Sequence, residues 1–391
     1  MRTALSPLEI TFWASTFVIV YPYVGYMAVL KTLTLVSSTS ESPKGIHTLP
    51  KVTLIISAYN EEDFLEEKIR NSLMLDYPKE LLEIIVVSDG STDRTVEIVS
   101  RFFDQGVKLR HYEGRIGKTA CLNLTIPNVE GEIVVFSDAN ALYRPNAIKE
   151  LVRPFGIPTV GYVTGHTNYL YADAKRGESA AESMSLYSRI QYEIKLLESN
   201  VGACIGADGA MFAIRKAHFE PLGLHDINDL VLPLRILLRG AEGKLAANAI
   251  CTEYAFGTPR SQFRRQVRIA ARSIRALLDH LVLLNPFRFG LTAFKLSSNK
   301  ALRMVCPFAM AMAFLANVPL AFEHWFYGLT LILQCGVYGT TLSALYRPAG
   351  GTLTKVLSVA NTFVIVNAAI GYGWLQYLRG ETFATWAPVR K

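Results

Sequence analysis

The stretch GEIVVFSDAN, residues 131–140, ends an apolar run on Asp138 and follows it two residues later with Asn140. Ile133 to Phe136 read as a short buried strand, and ligands of open parallel sheets sit beyond the carboxyl ends of their strands. Asp138 and Asn140, delivered there, offer two oxygen-bearing side chains. Hard cations such as Mg²⁺ take oxygen ligands and share them with substrate phosphates. Holding a divalent cation against a phosphate is the chemistry this pair suggests.

Three earlier turns carry similar groups. Ala58-Tyr59-Asn60-Glu61-Glu62 follows one apolar run, Ser88-Asp89-Gly90-Ser91-Thr92-Asp93 a second, and Gly114-Arg115-Ile116-Gly117-Lys118-Thr119 a third. One such turn means little, because Asp and Asn are ordinary turn residues. Four in succession bring carboxylates, glycines and a lysine to one sheet edge. Gly117-Lys118-Thr119 has the tail of a phosphate-binding loop, but the glycine that loop needs at position 112 is Tyr112. Lys118 at a helix start can still meet a phosphate or a base edge.

These turns need a sheet with helices between its strands. Residues 52–58, 82–89, 107–112 and 132–138 read as strands, with 160–165 extending the sheet. Helices are expected over 61–73, from the Ser91-Thr92-Asp93 cap to Phe103, and over 117–124. The alternation implies βαβ units, an α/β fold and a mostly parallel sheet. A long helix is expected over 178–198, a Gly-rich turn and strand over 206–215, and a helix over 229–238. Residues 261–281 form a clear amphipathic pattern. Phe263, Val267, Ala270, Ile274, Leu277 and Leu281 make its apolar face, and Arg264, Arg268 and Arg272 lie four apart on another face.

Half of the 391 residues are hydrophobic, too many for an ordinary soluble chain. The runs 10–30, 304–322, 325–346 and 356–378 lack Asp, Glu, Lys and Arg. Each is near the roughly 20 residues that cross a bilayer core. The expected organisation is an amino-terminal anchor over 1–36 and an α/β domain over 50–260, joined by a Ser/Thr/Pro/Gly-rich linker at 37–49. Basic interface helices over 261–300, about three spans over 301–380 and a tail over 381–391 complete it. The first run is too long for a cleaved signal peptide. The net charge of +7 points to anionic lipid at the cytoplasmic face rather than nucleic acid, because no aromatic–basic interleaving offers a base-stacking surface. The five cysteines are widely spaced and read as buried thiols in a reducing compartment.

Taken together, TLIISAYNEE, IIVVSDGSTDRT, GRIGKTACLN, VVFSDAN, VTG and GADGAMFAIR resemble glycosyltransferase family 2, whose catalytic domain has the GT-A fold. The resemblance covers about residues 50–275 in the family's order. The membrane layout resembles the branch that includes hyaluronan, chitin-oligosaccharide and cellulose synthases, and the ATWAPVRK end is similar to Trp-x-Pro-x-Arg tails in that branch. The resemblance implies that Tyr59, Glu61 and Asp89, with Gly90, hold the nucleotide base and ribose, and that Lys118 contacts the nucleotide. It implies that Asp138 is the first Asp of the DxD motif, carrying metal (Mg²⁺ or Mn²⁺) and diphosphate. Gly209 and Ala210 match the acceptor-side turn, and Asp229 matches the general base, with Asp226 the competing candidate.

Asn140 departs from the motif, since it replaces the second Asp. Its amide oxygen can still ligate a hard cation, and replacing it with Asp is expected to leave activity intact or raise it. The Gln-x-x-Arg-Trp of processive synthases is also missing, because Arg265-Gln266-Val267-Arg268-Ile269 stands there without Trp. Arg265 and Arg268 are still expected to reach the diphosphate, and the same helix can lie on anionic lipid. The function implied is a membrane-bound inverting glycosyltransferase with its domain in the cytoplasm. It would use a nucleotide-sugar donor (a UDP-sugar first) and a saccharide or lipid-linked acceptor, with membrane lipids and a second copy or partner subunits around it. The alternative is an inactive nucleotide-sugar-binding subunit of a synthase complex.

Overall fold

The structure, a computed structural model, describes residues 5–36, 48–171, 178–255, 259–344 and 352–381. In chain order its elements are α1 (Pro7–Val20), α2 (Tyr26–Val36), β1 (Val52–Ala58), α3 (Leu65–Leu73), β2 (Leu82–Asp89), α4 (Thr95–Ser100), β3 (Val107–Tyr112) and α5 (Lys118–Thr125). Next come β4 (Ile133–Asp138), β5 (Ala141–Tyr143), α6 (Ala147–Val152), β6 (Val160–Tyr171), α7 (Glu178–Asn200), β7 (Met211–Arg215), α8 (Asn228–Leu238) and β8 (Glu242–Ala255). The rest is helical: α9 (Pro259–Asp279), α10 (Pro286–Leu296), α11 (Leu302–Leu320), α12 (Trp325–Ala344) and α13 (Thr352–Leu378). The chain divides into two compact units. One comprises 34–172, 195–257 and 382–391, and the other 1–33, 173–194 and 258–381.

The first unit is α/β. Its eight strands form one sheet in the order β3-β2-β1-β4-β7-β6-β8-β5. β1 pairs in parallel with β2 and β4, β2 with β3, and β6 with β8. Every residue of β1 is buried, which is why it reads as a continuous apolar run: both of its faces are covered. β3 lies at the edge, and there Lys108 and Arg110 alternate with Val107 and Leu109. The mostly parallel α/β sheet expected from the alternation is the sheet found.

The register explains how the polar turns meet. Ala58 lies beside Ser88, Ser57 beside Asp138, and Asp89 beside Tyr112. The strands therefore end level, and their following residues share one edge. β7 runs antiparallel to β4 with Ser137 opposite Met211. An antiparallel strand presents its amino end where its neighbour presents its carboxyl end, so Gly209-Ala210 arrives at the same edge.

Several boundaries differ from the sequence reading. The helix expected from residue 61 starts at Leu65, because Glu61 to Phe64 form a turn in which the Glu61 carbonyl accepts from the Phe64 and Leu65 amides. The helix expected to reach Phe103 ends at Ser100. The strand expected at 160–165 runs on to Tyr171, and β7 separates it from β4. β5 and β8 were not foreseen, since the alanine-rich EGKLAANAICTEYA lacks the alternation that marks a half-buried strand.

The second unit is helical. α1 opens with a reciprocal cap between Ser6 and Glu9. It packs on α11, where Phe12, Ala316, Leu320 and Tyr327 form a small core. Two helical runs, Pro7–Val36 and Pro286–Leu320, the second kinked at Gly290 (φ 47°), are long and apolar enough to cross a membrane by length and composition. The apolar runs 325–346 and 356–378 supply α12 and α13, as far as they are described. The Thr340 and Thr341 hydroxyls donate to the Asn361 amide oxygen at 3.2 and 2.8 Å, joining α12 to α13. α9 packs on α13, where Gly373 lies so close to Ala270 that an added Cβ would stand 2.9 Å from its methyl.

Candidate active site

The first two turns are laced together. Asn60, the one described non-glycine residue with positive φ (54°), accepts from the Thr92 amide at 2.8 Å, and its own amide donates to the Ser91 hydroxyl at 3.1 Å. The Glu61 amide donates to the Thr95 hydroxyl and the Glu62 amide to the Asp93 carboxylate, at 2.9 and 3.2 Å. Asp93 also accepts from the Thr95 amide at 3.0 Å, just ahead of α4. The polar residues at 91–95 thus hold the turn at 59–62 in shape.

The second and third turns are locked more tightly. Asp89 is almost wholly buried, and both of its oxygens accept from the Gly117 amide at 3.0 and 3.2 Å. Gly90 has φ +66°, and an added Cβ would lie 2.3 Å from the Gly114 carbonyl oxygen. Only glycine permits that approach in that conformation. From the third turn, the Arg115 guanidinium stacks 4.0 Å over the Tyr59 ring.

The third turn opens α5, whose Lys118 ammonium lies 2.7 Å from the Asp138 carboxylate. Both side chains keep some exposure, 20% and 37%. Two residues on, the Asn140 side-chain NH₂ donates to the Glu253 carboxylate at 3.2 Å. Glu61 faces the same charges. Burial, and then Asp138, Asp93, Asp63 and Glu253, push its carboxyl up to about 8. Beneath the edge, the fully buried Lys68 donates to the Ala141 carbonyl and sits 3.7 Å over the Tyr143 ring. Burial pushes its ammonium down to about 7, against the pull of Cys251 and Asp138.

The other side of the edge is the turn at 206–210. An added Cβ on Gly209 would stand 2.8 Å from Asp229 Oδ2. The absence of a side chain at 209 is what lets that carboxylate approach the turn. The Asp229 carbonyl accepts from the Ala207 amide at 2.8 Å, and the Tyr143 hydroxyl donates to the Ala210 carbonyl at 3.0 Å. Asp226 differs: its carboxylate accepts from the Gly223 amide at 2.8 Å and pairs with Arg235 at 3.1 Å.

Tyr59, Glu61, Asp89, Gly90, Lys118, Asp138, Asn140, Gly209, Ala210 and Asp229 therefore all belong to the α/β unit, at one end of its sheet. Arg265 and Arg268 lie on α9 in the helical unit. There burial, and then Arg272 and Arg265, lower Arg268 to about 10. Sequence reasoning missed Glu253, which sits in an unforeseen strand, and Lys68, whose apolar helix face gave no hint of charge. It also missed the stack of Arg115 on Tyr59.

Residues 53–222 match the family model described as glycosyl transferase family 2. These residues form a glycosyl transferase family 2 domain. The matched span contains every α/β-unit site residue named above except Asp226, Asp229 and Glu253. Among curated relatives, the poly-beta-1,6-N-acetyl-D-glucosamine synthase of Staphylococcus epidermidis is 27% identical over 252 residues, covering 63% of this chain and 58% of that protein. The beta-monoglucosyldiacylglycerol synthase of Synechocystis sp. is 25% identical over 268 residues, covering 64% of this chain and 55% of that protein. The chain thus spans 55–64% of the length of these and similar relatives. Among solved structures, the mannosyltransferase PcManGT from Pyrobaculum calidifontis, in complex with GDP-Man and Mn²⁺, superposes with a TM-score of 0.71. That match covers 95% of this chain and 99% of that one at 22% identity. The family 2 domain therefore has the GT-A-type fold expected for it.

Proposed function

We propose that this chain is a membrane-bound inverting glycosyltransferase. It would move a sugar from a nucleotide-sugar, a UDP-sugar first, to a saccharide or lipid-linked acceptor in polysaccharide or glycoconjugate synthesis. The observation that carries the reading is the common sheet edge of Asp138 and Asp229. One carboxylate is salt-bridged to Lys118, and the other lies against the Gly209 turn. Relatives named as sugar-polymer and glycolipid synthases support it.

In this reading Asp229 accepts the proton of the acceptor hydroxyl. The acceptor oxygen then forms a bond to the anomeric carbon from the face opposite the leaving group. The bond from that carbon to the diphosphate oxygen breaks, and the nucleoside diphosphate leaves with the electron pair. One base suffices, because no covalent sugar intermediate forms. Asp226 is the competing candidate, and Arg235 and the Gly223 amide engage its carboxylate. Lys118 is set to exchange Asp138 for a donor phosphate, where its charge stabilises the leaving group. Tyr59, Glu61, Asp89 and Gly90 form the nucleoside end. Asp89 acts through the Gly117 turn that it holds, and Arg115 already stacks on one face of Tyr59. Gly209 and Ala210 line the acceptor side.

The residues fit a divalent cation, Mg²⁺ or Mn²⁺. Asp138 and Asn140 supply hard oxygens, and burial, with the neighbouring Asp138, Asp93, Asp63 and Glu253, raises the Glu61 carboxyl beside them. Among the described residues no three His, Cys, Asp or Glu side chains form a ready cage, which suits a cation that takes much of its coordination from donor phosphates. When bound, the cation neutralises the departing diphosphate. PcManGT, of the same fold, was solved with Mn²⁺ and GDP-Man.

The membrane part of the reading rests on the two long apolar helical runs and on outward-facing Phe17, Leu315, Ile332 and Leu333. Residues 1–36 would anchor the chain, 50–260 would form the cytoplasmic catalytic domain, 261–300 would lie at the interface, 301–380 would span, and 381–391 would be the tail. The test is turnover of a panel of radiolabelled nucleotide-sugars on membranes with Mg²⁺ and with Mn²⁺, using wild type, Asp138→Ala and Asp229→Asn. Losing the general base is expected to slow transfer by about 10²–10⁴-fold. Wild-type turnover in both variants would sink the assignment. Product mass separates a polymer ladder from a single addition.

A further inference from the structure

The motif at 138–140 lacks its second carboxylate, yet a carboxylate stands beside it. β5 begins directly after Asn140 and runs antiparallel to β8, with Ala141 opposite Glu253. That register brings a residue more than a hundred positions away to the side of the turn. Glu253 is 6% exposed, and its Oε1 accepts from Asn140 Nδ2 at 3.2 Å. The two branches of a planar amide point apart, so the hydrogen bond turns Asn140 Oδ1 away from Glu253. Asp138, Asn140 and Glu253 together bring two carboxyl groups to the turn, the number a DxD turn would bring alone.

We propose that Glu253 is the positioning residue of the donor site, holding Asn140 through its side-chain NH₂ and supplying from β8 the second carboxyl group that position 140 lacks. The inference rests on the reading of Asp138 and Asn140 as the cation and diphosphate site. It reverses one expectation from the sequence. A carboxylate at position 140 would not be harmless, because its oxygen would take the place of Nδ2, 3.2 Å from the Glu253 carboxylate. Like charges at that distance repel unless one takes a proton. The neutral change is an exchange of both residues, which puts the carboxylate at position 140 and the donating amide at position 253 and so keeps the hydrogen bond with its direction reversed.

The experiment is titration of the detergent-purified full chain with Mn²⁺ alone, followed by the electron paramagnetic resonance signal of the free ion. Glu253→Gln keeps the shape and one acceptor but removes the charge, and it is expected to weaken Mn²⁺ binding about 10- to 100-fold. The double variant Asn140→Asp/Glu253→Gln restores the charge on the other side of the hydrogen bond and is expected to bind within about threefold of wild type. Equal binding by wild type and Glu253→Gln would overturn the inference alone. So would a double variant no tighter than Glu253→Gln. If Glu253→Gln does not fold, the double variant is read against wild type, and weak binding counts against the proposal. A wild-type chain that binds no Mn²⁺ would overturn the cation reading itself, and this inference with it.

Discussion

Glu61 is a carboxyl surrounded by its own kind. Burial, and then Asp138, Asp93, Asp63 and Glu253, raise it from 4.5 to about 8. The sign of the consequence follows from proton counting. Between those two values the folded chain holds a proton that the unfolded chain has released, so each rise in pH pulls against the fold. The contribution is fully present below the unfolded value and is gone above the folded one. The melting temperature of the metal-free chain should therefore fall between about pH 5 and about pH 8 more steeply in wild type than in Glu61→Gln. Parallel profiles would contradict the assignment. Asp226 and Asp229 make the same point about neighbours. In sequence they are equivalent acids three residues apart. In the fold one is clasped by Arg235, and the other lies on a turn stripped of its side chain.

At the scale of elements, the site is a set of turns that brace one another. The turn after β1 is held by that after β2, and the turn after β2 by that before α5. Gly90 is the closest joint between the second pair. Gly90→Ala puts a Cβ on the Gly114 carbonyl and a left-handed φ on a residue with a side chain. The conformation alone costs about 1–3 kcal/mol, and the clash adds to it. The expected result is a melting temperature lower by several degrees together with weaker nucleotide binding, read by thermal melting and by equilibrium dialysis of UDP. An unchanged melting temperature would mean that the joint is slack. These turns were legible as polar strand ends, because strand period and turn residues are local properties of the chain. Their mutual hydrogen bonds were not, because Asn60 and Thr92 meet only after β1 and β2 pair in register.

At the scale of the whole molecule, the chain joins a soluble-type chemistry to an apolar helical unit. Phe17 on α1, Leu315 on α11 and Ile332 and Leu333 on α12 are all well exposed, an arrangement that water does not favour and lipid does. The full chain should accordingly stay in the membrane pellet through washes with high salt and with alkaline carbonate, and detergent should release it. Recovery in the carbonate wash would remove the spanning assignment and leave a surface attachment through α9, whose arginines suit anionic lipid.

The sequence by itself determined the α/β alternation, the apolar runs and the polar residues at the strand ends, because each is a periodicity or a short motif within one segment. It also carried the family 2 resemblance, which is a matter of motifs in order. Only the tertiary structure decided the order of strands, with β7 antiparallel beside β4, and the placing of Asp229 against the Gly209 turn. The same holds for Glu253 beside Asn140. Each of those depends on which distant segments pair and in what register. A shift of one residue in β8 would turn Glu253 to the other face of the sheet, and no local pattern in EGKLAANAICTEYA records which face it takes.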